Sequence, residues 1–132
     1  VAGTPQLAVV HLDTHVVCWL YAGRIDLLSE PARETLEAGR LFVSPLVDLE
    51  LQLLREIGRL STGPERILKA LSREIDLQFT TTGLVQLASA ARDLHWTRDP
   101  FDRLIVADAL LAGAPLVTKD SFIRKHFAAA VW

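Results

Sequence analysis

The 132 residues are 50% hydrophobic and 23% charged, the proportions of one globular domain with a sizeable core, and they leave no room for a multidomain chain. A formal net charge of -2 excludes holding nucleic acid by bulk positive charge and leaves only a local basic patch beside an acidic site. The single cysteine, Cys18, excludes a disulfide framework, and the longest uncharged stretch, Leu77 to Ala91, is too polar to cross a bilayer.

Val1 to Gln6 lacks the positive charge and apolar core of a signal peptide, and with the lone thiol this points to a reducing cytoplasm. Leu7 to Leu12, with Val9 and Val10 adjacent, reads as a first strand ending at Asp13-Thr14, a strand-to-helix junction. Thr14 to Tyr21 follows as a helix. Pro31 to Ala38 combines alanine, leucine and paired charges; it is expected to be helical, to stop at Gly39 and to precede a second strand, Leu41 to Val43. Ser44-Pro45 supplies the N-cap and first-turn residues of a helix to about Ile57, with Gly58 near its end. Gly63-Pro64 opens a further helix to about Arg73. Ile75 to Thr80 is expected as a third strand, and Thr82 to Leu94 as a helix packed through Ala88, Ala90 and Ala91. Asp99-Pro100 starts the most apolar helix in the chain, which runs through Leu111 to a stop at Gly113, and Pro115 to Thr118 is the fourth strand. Ala128 to Trp132 fits either a fifth, edge strand or an ordered tail. Short strands alternating with helices predict an α/β fold: a parallel sheet of four or five strands covered by helices on both faces. The functional crevice of such a sheet lies beyond the carboxyl ends of its strands.

Asp13 follows the first strand and Asp120 the fourth, so parallel pairing places both on that rim, where each either caps the helix after it or belongs to a site. In the helix from Pro45, Glu50 shares the i, i+3, i+4, i+7 stripe of a buried face with Leu46, Leu53 and Ile57. A carboxylate there needs a partner, either a shared site or an arginine from elsewhere. Asp48 instead lines up with Gln52, Arg55, Glu56 and Arg59 on a solvated face. Asp99 before Pro100 is a standard N-cap. Asp102 sits above Ile105, Val106 and Ala109 on an inward stripe, although the third helical position also suits an acid for the macrodipole. Asp108, flanked by Leu104, Ile105, Leu111 and Ala112, is expected to be a buried polar residue rather than a ligand.

If Asp13, Glu50, Asp102 and Asp120 converge, each pair at about 5 Å repels by about 3 kcal/mol at an effective dielectric near 20. Relief takes protonation or a cation, and an all-oxygen set favours Mg²⁺ or Mn²⁺ over zinc. His11 and His15 flank Asp13 without a third histidine or a nearby cysteine, so no zinc motif assembles. His95 and His126 stand alone, and Cys18 is expected to be a small core residue.

Six pieces recur in a telling order: Leu12-Asp13-Thr14-His15 with Trp19-Leu20, Leu28-Ser29 with Ala32-Arg33, Val43-Ser44 leading to Glu50, and Gly58-Arg59-Leu60. Asp99-Pro100-Phe101-Asp102-Arg103-Leu104-Ile105 and Leu116-Val117-Thr118-Lys119-Asp120 complete them. In this order and spacing the chain resembles, over nearly its whole length, a PIN-domain ribonuclease of the VapC toxin type. The resemblance implies one PIN domain over residues 1–132 in a three-layer α/β/α architecture. It implies that Asp13, Glu50, Asp102 and Asp120 are an acidic quartet binding Mg²⁺ or Mn²⁺, with Asp99 an accessory acid. A metal-dependent endoribonuclease is implied, the toxin of a type II toxin–antitoxin system. So are a cognate VapB-type antitoxin whose C-terminal segment occupies the cleft, and a toxin homodimer.

Single-stranded or loop RNA is the expected substrate, guided by a rim of Arg98, Arg103, Lys119, Arg124 and Lys125; the alternatives are ordinary surface charge and, for Arg103, an ion pair with Asp102. Two positions depart from the resemblance. Thr97 stands where relatives of this subgroup often carry histidine, and Asp108 where threonine or glutamine is usual, which adds a negative charge near the site. A catalytically idle PIN-like binding module leaves Glu50 without a reason. A phosphohydrolase of the haloacid dehalogenase kind, with Asp13 as nucleophile, wants an aspartate where His15 stands.

Overall fold

The computed structural model describes residues 7–132; residues 1–6, the stretch weighed above for a signal peptide, lie outside the described residues. In chain order the elements are β1 (Ala8–Leu12), α1 (Thr14–Tyr21), a 3₁₀ turn at Ile25–Leu27, α2 (Glu30–Ala38), β2 (Gly39–Val43), α3 (Pro45–Glu56) and α4 (Pro64–Ile75). There follow β3 (Gln78–Phe79), α5 (Leu84–Ala91), α6 (Pro100–Ala112), β4 (Leu116–Val117), α7 (Ser121–His126) and β5 (Ala130–Val131).

The strands form one sheet in the order β3-β2-β1-β4-β5, parallel throughout. β1 is the centre: Val10 pairs with Leu41 of β2 on one side, and Leu12 with Val117 of β4 on the other. Successive side chains of a strand point to opposite faces, and here both faces are covered, so Val10, His11 and Leu12 are all buried. α2 contacts β1, β4 and β5, and α6 contacts β1, while α1, α3 and α4 contact one another. The core joins Val16 and Val17 of α1, Leu36 of α2, Val47 and Leu51 of α3, Ile67 and Leu71 of α4, and Ile105 and Val106 of α6. Among the described residues no helix is long and apolar enough to cross a membrane.

Each helix that starts at the carboxyl end of a central strand begins on a side-chain cap: Asp13 for α1, Ser44 for α3 and Asp120 for α7. Ser29 and Asp99 do the same for α2 and α6.

The third strand is shorter than the expected Ile75 to Thr80, because Ile75 continues the Ile67-Leu71 stripe of α4. That helix ends at Asp76, which takes the left-handed conformation at φ 54°. Gly39 does not close α2 with a left-handed turn; at φ -115° and ψ 165° it is the first residue of β2. On α3 the buried face is Val47 and Leu51, whereas Leu53 and Ile57 are 39% and 67% exposed, so Glu50 lies at the border of the buried face rather than on it. Apolar residues surround most of α3, and their spacing alone did not single out one face. α5 is confined to Leu84–Ala91 and packs through Leu87 and Ala91 while Ala88 is exposed. The C-terminal residues do form an edge strand, β5, through Leu116↔Ala130 and Val117↔Val131.

A Cβ on Gly39 would collide with Cγ2 of Val10 and come within 3.1 Å of the Ala8 carbonyl. Val10 is β-branched and buried, so it has little rotamer freedom to yield. Gly39→Ala is therefore expected to cost about 1–3 kcal/mol by overpacking. Val10→Ala in the same chain should recover part of that loss, measured as a non-additive double-mutant cycle in urea unfolding.

Candidate active site

The strand order reverses beside β1, whose two neighbours are β2 and β4, and the chain leaves β1 and β4 side by side at their carboxyl ends. The Asp13 N–H donates to the Val117 carbonyl at 3.1 Å. The buried Thr118 hydroxyl donates to Asp13 Oδ2 at 2.6 Å, while Asp13 Oδ1 accepts the Thr14 N–H at 2.8 Å. Thr118 Oγ1 also accepts the Asp120 N–H at 3.1 Å, and Asp120 Oδ1 accepts from the N–H groups of Phe122 and Ile123 at 2.8 and 2.9 Å. Asp13 and Asp120 thus cap their helices and stand on one rim at the same time; the two roles do not compete.

Glu50 reaches that rim from α3, where its Oε1 accepts the hydroxyl of Thr14. It has no arginine partner: among the described residues the one ion pair is Arg24 with Asp26, exposed on the surface. Asp99 Oδ1 accepts the N–H of Phe101 at 2.9 Å, and Asp102 extends from the next turn, half-buried above Ile105 and Val106.

Electrostatics ties these acids into one group. Burial, then Asp99, Asp13, Asp120 and Glu50 in that order, push the Asp102 carboxyl up to about 7. Burial raises Asp13 as well, opposed by its bonds from Thr118 and Thr14 and by His15, and reinforced by Asp120. Burial likewise raises Glu50, with Asp13 and Asp99 adding to it and the Thr14 hydroxyl and His15 pulling back. Cys18 packs against the core; burial first, then the Glu50 charge, raises its thiol to about 11, so it stays a neutral thiol.

Asp108 is fully buried but does not face this group. It accepts the hydroxyls of Thr80 and, at 2.8 Å, Thr82, and its charge acts on His11 of β1. The extra charge expected near the site is therefore absorbed by two threonines on the flank of α6. Burial lowers His11, and Asp108 partly opposes that. Thr97 accepts the Asp99 N–H on its hydroxyl at 3.1 Å, and its carbonyl accepts Nε of Arg103 at 2.8 Å, which ties Arg103 to the loop and not to Asp102.

Arg98, Lys119, Arg124 and Lys125 are exposed, and Lys119 Nζ lies 5.9 Å from the centre of the Trp19 ring, itself 5.7 Å from Trp132. His126 does not stand alone; it stacks on Trp96 with ring centres 5.3 Å apart. Sequence reasoning quotes Thr14, His15 and Thr118 within the matching pieces, and weighs His15 only for zinc, but gives none of them a role in holding these acids. Only the strand register shows that Thr118 faces Asp13, although its place two residues before Asp120 on a strand end was legible.

Asp13 and Glu50 are turned onto threonine hydroxyls, Asp99 and Asp120 onto backbone N–H groups. In that arrangement no three histidine, cysteine or carboxylate side chains among the described residues are gathered to grip one ion. The donor chemistry nevertheless fits a hard divalent cation: the residues that influence one another are carboxylates, and burial first, then their mutual charge, raises their proton affinity, with His15 only partly opposing it at Asp13 and Glu50.

Residues 10–126 match the PIN domain family. The chain is 32% identical over 126 residues to Ribonuclease VapC22 of Mycobacterium tuberculosis, covering 91% of this chain and 93% of that protein. Its fold is similar to that of a toxin–antitoxin complex from Klebsiella pneumoniae, at a TM-score of 0.67 and 20% identity over 93% of this chain and 96% of that one. The DNA-bound VapBC of Salmonella typhimurium is similar at a TM-score of 0.61 and 19% identity, over 94% and 96% of the two chains.

A carboxyl raised from 3.8 in the unfolded chain to about 7 in the fold holds its proton more tightly when folded. Metal-free protein should therefore lose stability as pH rises from about 4 to about 7. Asp102→Asn should flatten that slope, so its advantage over the wild type in urea midpoint, measured in EDTA, is small at pH 4 and largest above pH 7. A gap that narrows as pH rises contradicts this electrostatic assignment.

Proposed function

The chain belongs to the PIN-domain family, and from that premise we propose that it is a metal-dependent endoribonuclease, the toxin of a type II toxin–antitoxin pair. It cuts single-stranded or loop RNA at Asp13, Glu50, Asp102 and Asp120, with Asp99 as an accessory acid. What carries this reading is the electrostatic coupling of these acids at the carboxyl rim of a parallel sheet, where burial and then one another's charge raise their proton affinity and, among the described residues, no lysine or arginine forms an ion pair with them. The family match over residues 10–126 supports reading 1–132 as a single PIN domain.

Asp13 and Asp102 are the central holders of Mg²⁺ or Mn²⁺, and Glu50 and Asp120 complete the set. Bound there, such an ion supplies Lewis acidity and compensates charge on the scissile phosphate. The chain's own residues do the positioning. The Thr118 hydroxyl and the Thr14 backbone N–H pin both oxygens of Asp13 and leave its charge uncancelled, because both are neutral donors. Thr14 bridges to Glu50, so a single residue spaces two of the acids. Asp102, with a proton affinity matched to neutral pH, is the carboxyl best suited to take up a proton at its oxygen when the site is metal-free.

The exposed Asp99 and Asp120 open the group onto solvent, as a polymer strand requires. Acids repel phosphate, so Arg98, Lys119, Arg124 and Lys125 guide the strand, with Arg103 steadying the loop beneath it. An A-form duplex offers neither the flexible backbone nor the exposed bases that this open rim can use. Such a substrate makes the cytoplasm its place of action.

A VapB-type antitoxin and a second copy of the chain are its protein partners. Trp19 and Trp132 shield each other, so the apolar surface for partners comes from Leu53 and Ile57 of α3, Leu84 and Val85 of α5, and Leu110 and Leu111 of α6. Light scattering at micromolar concentration should show a dimer.

Asp13→Asn and Asp102→Asn should each lower RNA cleavage by at least about a hundredfold, as expected when one charged group at a reacting centre is removed, with unchanged circular dichroism. EDTA should abolish wild-type cleavage and added Mg²⁺ or Mn²⁺ restore it. Full activity in either variant removes the assignment. Separately, Lys119→Glu and Arg124→Glu should weaken cleavage of a stem-loop RNA about tenfold at low salt, while a fully paired counterpart is cut poorly by every form of the protein.

A further inference from the structure

Beside the acids lies a cluster of three aromatic rings that the reaction does not use. Trp96, in the loop before α6, stacks on His126 of α7 with ring centres 5.3 Å apart and planes 7° apart. Phe122, one turn back on α7, lies 5.3 Å from His126 and 6.2 Å from Trp96. Trp96 is anchored against the core, whereas His126 is exposed and Phe122 is 53% exposed. An exposed phenyl ring held by two aromatic neighbours gains nothing for folding on its outer side.

Two features mark what that outer side meets. The cluster is tethered to the acids at two points: Trp96 stands three residues before Asp99, and the Phe122 N–H is bonded to the Asp120 carboxylate itself. Two residues span at most about 7 Å of chain, so the platform is within about one nucleotide of Asp120. Exposed cations also lie close to it along the chain: Arg98 two residues after Trp96, and Arg124 and Lys125 within the turn of α7 that joins Phe122 to His126. An exposed aromatic face with phosphate-seeking charges close by in the chain, next to a phosphodiester-cleaving centre, has the chemistry of a single-strand stacking platform.

We infer that Phe122, backed by Trp96 and His126, stacks a nucleobase of single-stranded RNA one or two nucleotides from the scissile phosphate, while Arg98, Arg124 and Lys125 hold the adjoining phosphates. The inference rests on the ribonuclease reading for its ligand and deepens it. Stacking is tolerant of base identity, so the platform selects unpaired bases over paired ones rather than one sequence. It thereby gives the site a reason to prefer loops that charge alone cannot supply, since phosphates are present on both.

The test is binding of a fluorescently labelled hexaadenylate and of an abasic hexamer with the same sugars and phosphates, read by anisotropy with Ca²⁺ in place of Mg²⁺. The wild type should bind hexaadenylate about tenfold more tightly than the abasic hexamer. Phe122→Ala should remove that preference by weakening hexaadenylate alone, Phe122→Trp should keep it, and Arg124→Glu should weaken both hexamers alike. Thermal melts confirm that each variant is folded. Equal affinity of the wild type for the two hexamers, or a Phe122→Ala loss shared by both, overturns the platform; so does no loss at all, which would leave the rings as a surface for a protein partner. Cleavage of a stem-loop RNA in Mg²⁺ is scored separately, so the ribonuclease reading can fail while the base preference stands, and the reverse.

Discussion

Parallel pairing of β1 with β4 is the constraint on which the site depends, because it delivers Asp13 and Thr118 to the same height on the rim and lets one hydroxyl bridge them at 2.6 Å. Asp13 takes part in three structures at once. Its backbone N–H closes the sheet on Val117, its Oδ1 starts α1, and its Oδ2 is held by Thr118. The same Thr118 orients Asp120, and Thr14, the first residue of the helix that Asp13 caps, holds Glu50. Moving the β1–β4 register by one residue would exchange the faces that Leu12 and Asp13 occupy relative to β4 and separate Asp13 from Thr118.

Threonine as the holding residue has a physical sense. Buried carboxylates need donors, and an arginine would supply them along with a charge that cancels the one the site uses. Hydroxyls and backbone N–H groups satisfy the oxygens and leave the negative potential intact, while burial first and mutual repulsion second raise Asp13, Glu50 and Asp102. The fold tolerates that repulsion because Asp13, Asp99, Asp102 and Asp120 sit where helices α1, α6 and α7 begin, each supplying free N–H groups and the positive end of a dipole. The same device appears away from the rim: Asp108, entirely inside, is held by Thr80 and Thr82, and so pins the segment after β3 to the flank of α6.

How far the sequence carried can be seen at particular residues. Asp13 and Asp120 were legible as rim residues because strand ends and helix caps are local signals, and Asp102 because its stripe on α6 is inward, although its position also suits the macrodipole. Glu50 was singled out on a stripe of which Leu53 and Ile57 are in fact exposed; it meets the other acids because the first two turns of α3 approach α1, which is a matter of helix placement. The arginine partner considered for Glu50 and the ion pair considered for Arg103 are both replaced by contacts with the threonines 14 and 97, neutral partners that leave no trace in charge patterning.

By itself the sequence determined the alternating strands and helices, the parallel sheet and the candidate acids, because apolar periodicity, caps and strand-to-helix junctions are written over spans of a few residues. It also carried the family resemblance, which depends on order and spacing along the chain. Only the tertiary structure decided that the C-terminal residues pair as β5, that Asp108 is held by Thr80 and Thr82, and that Trp96, Phe122 and His126 gather beside the acids. Those outcomes rest on contacts between segments far apart in sequence, where strand order, register and the rotation of each helix set the neighbours and no local pattern can.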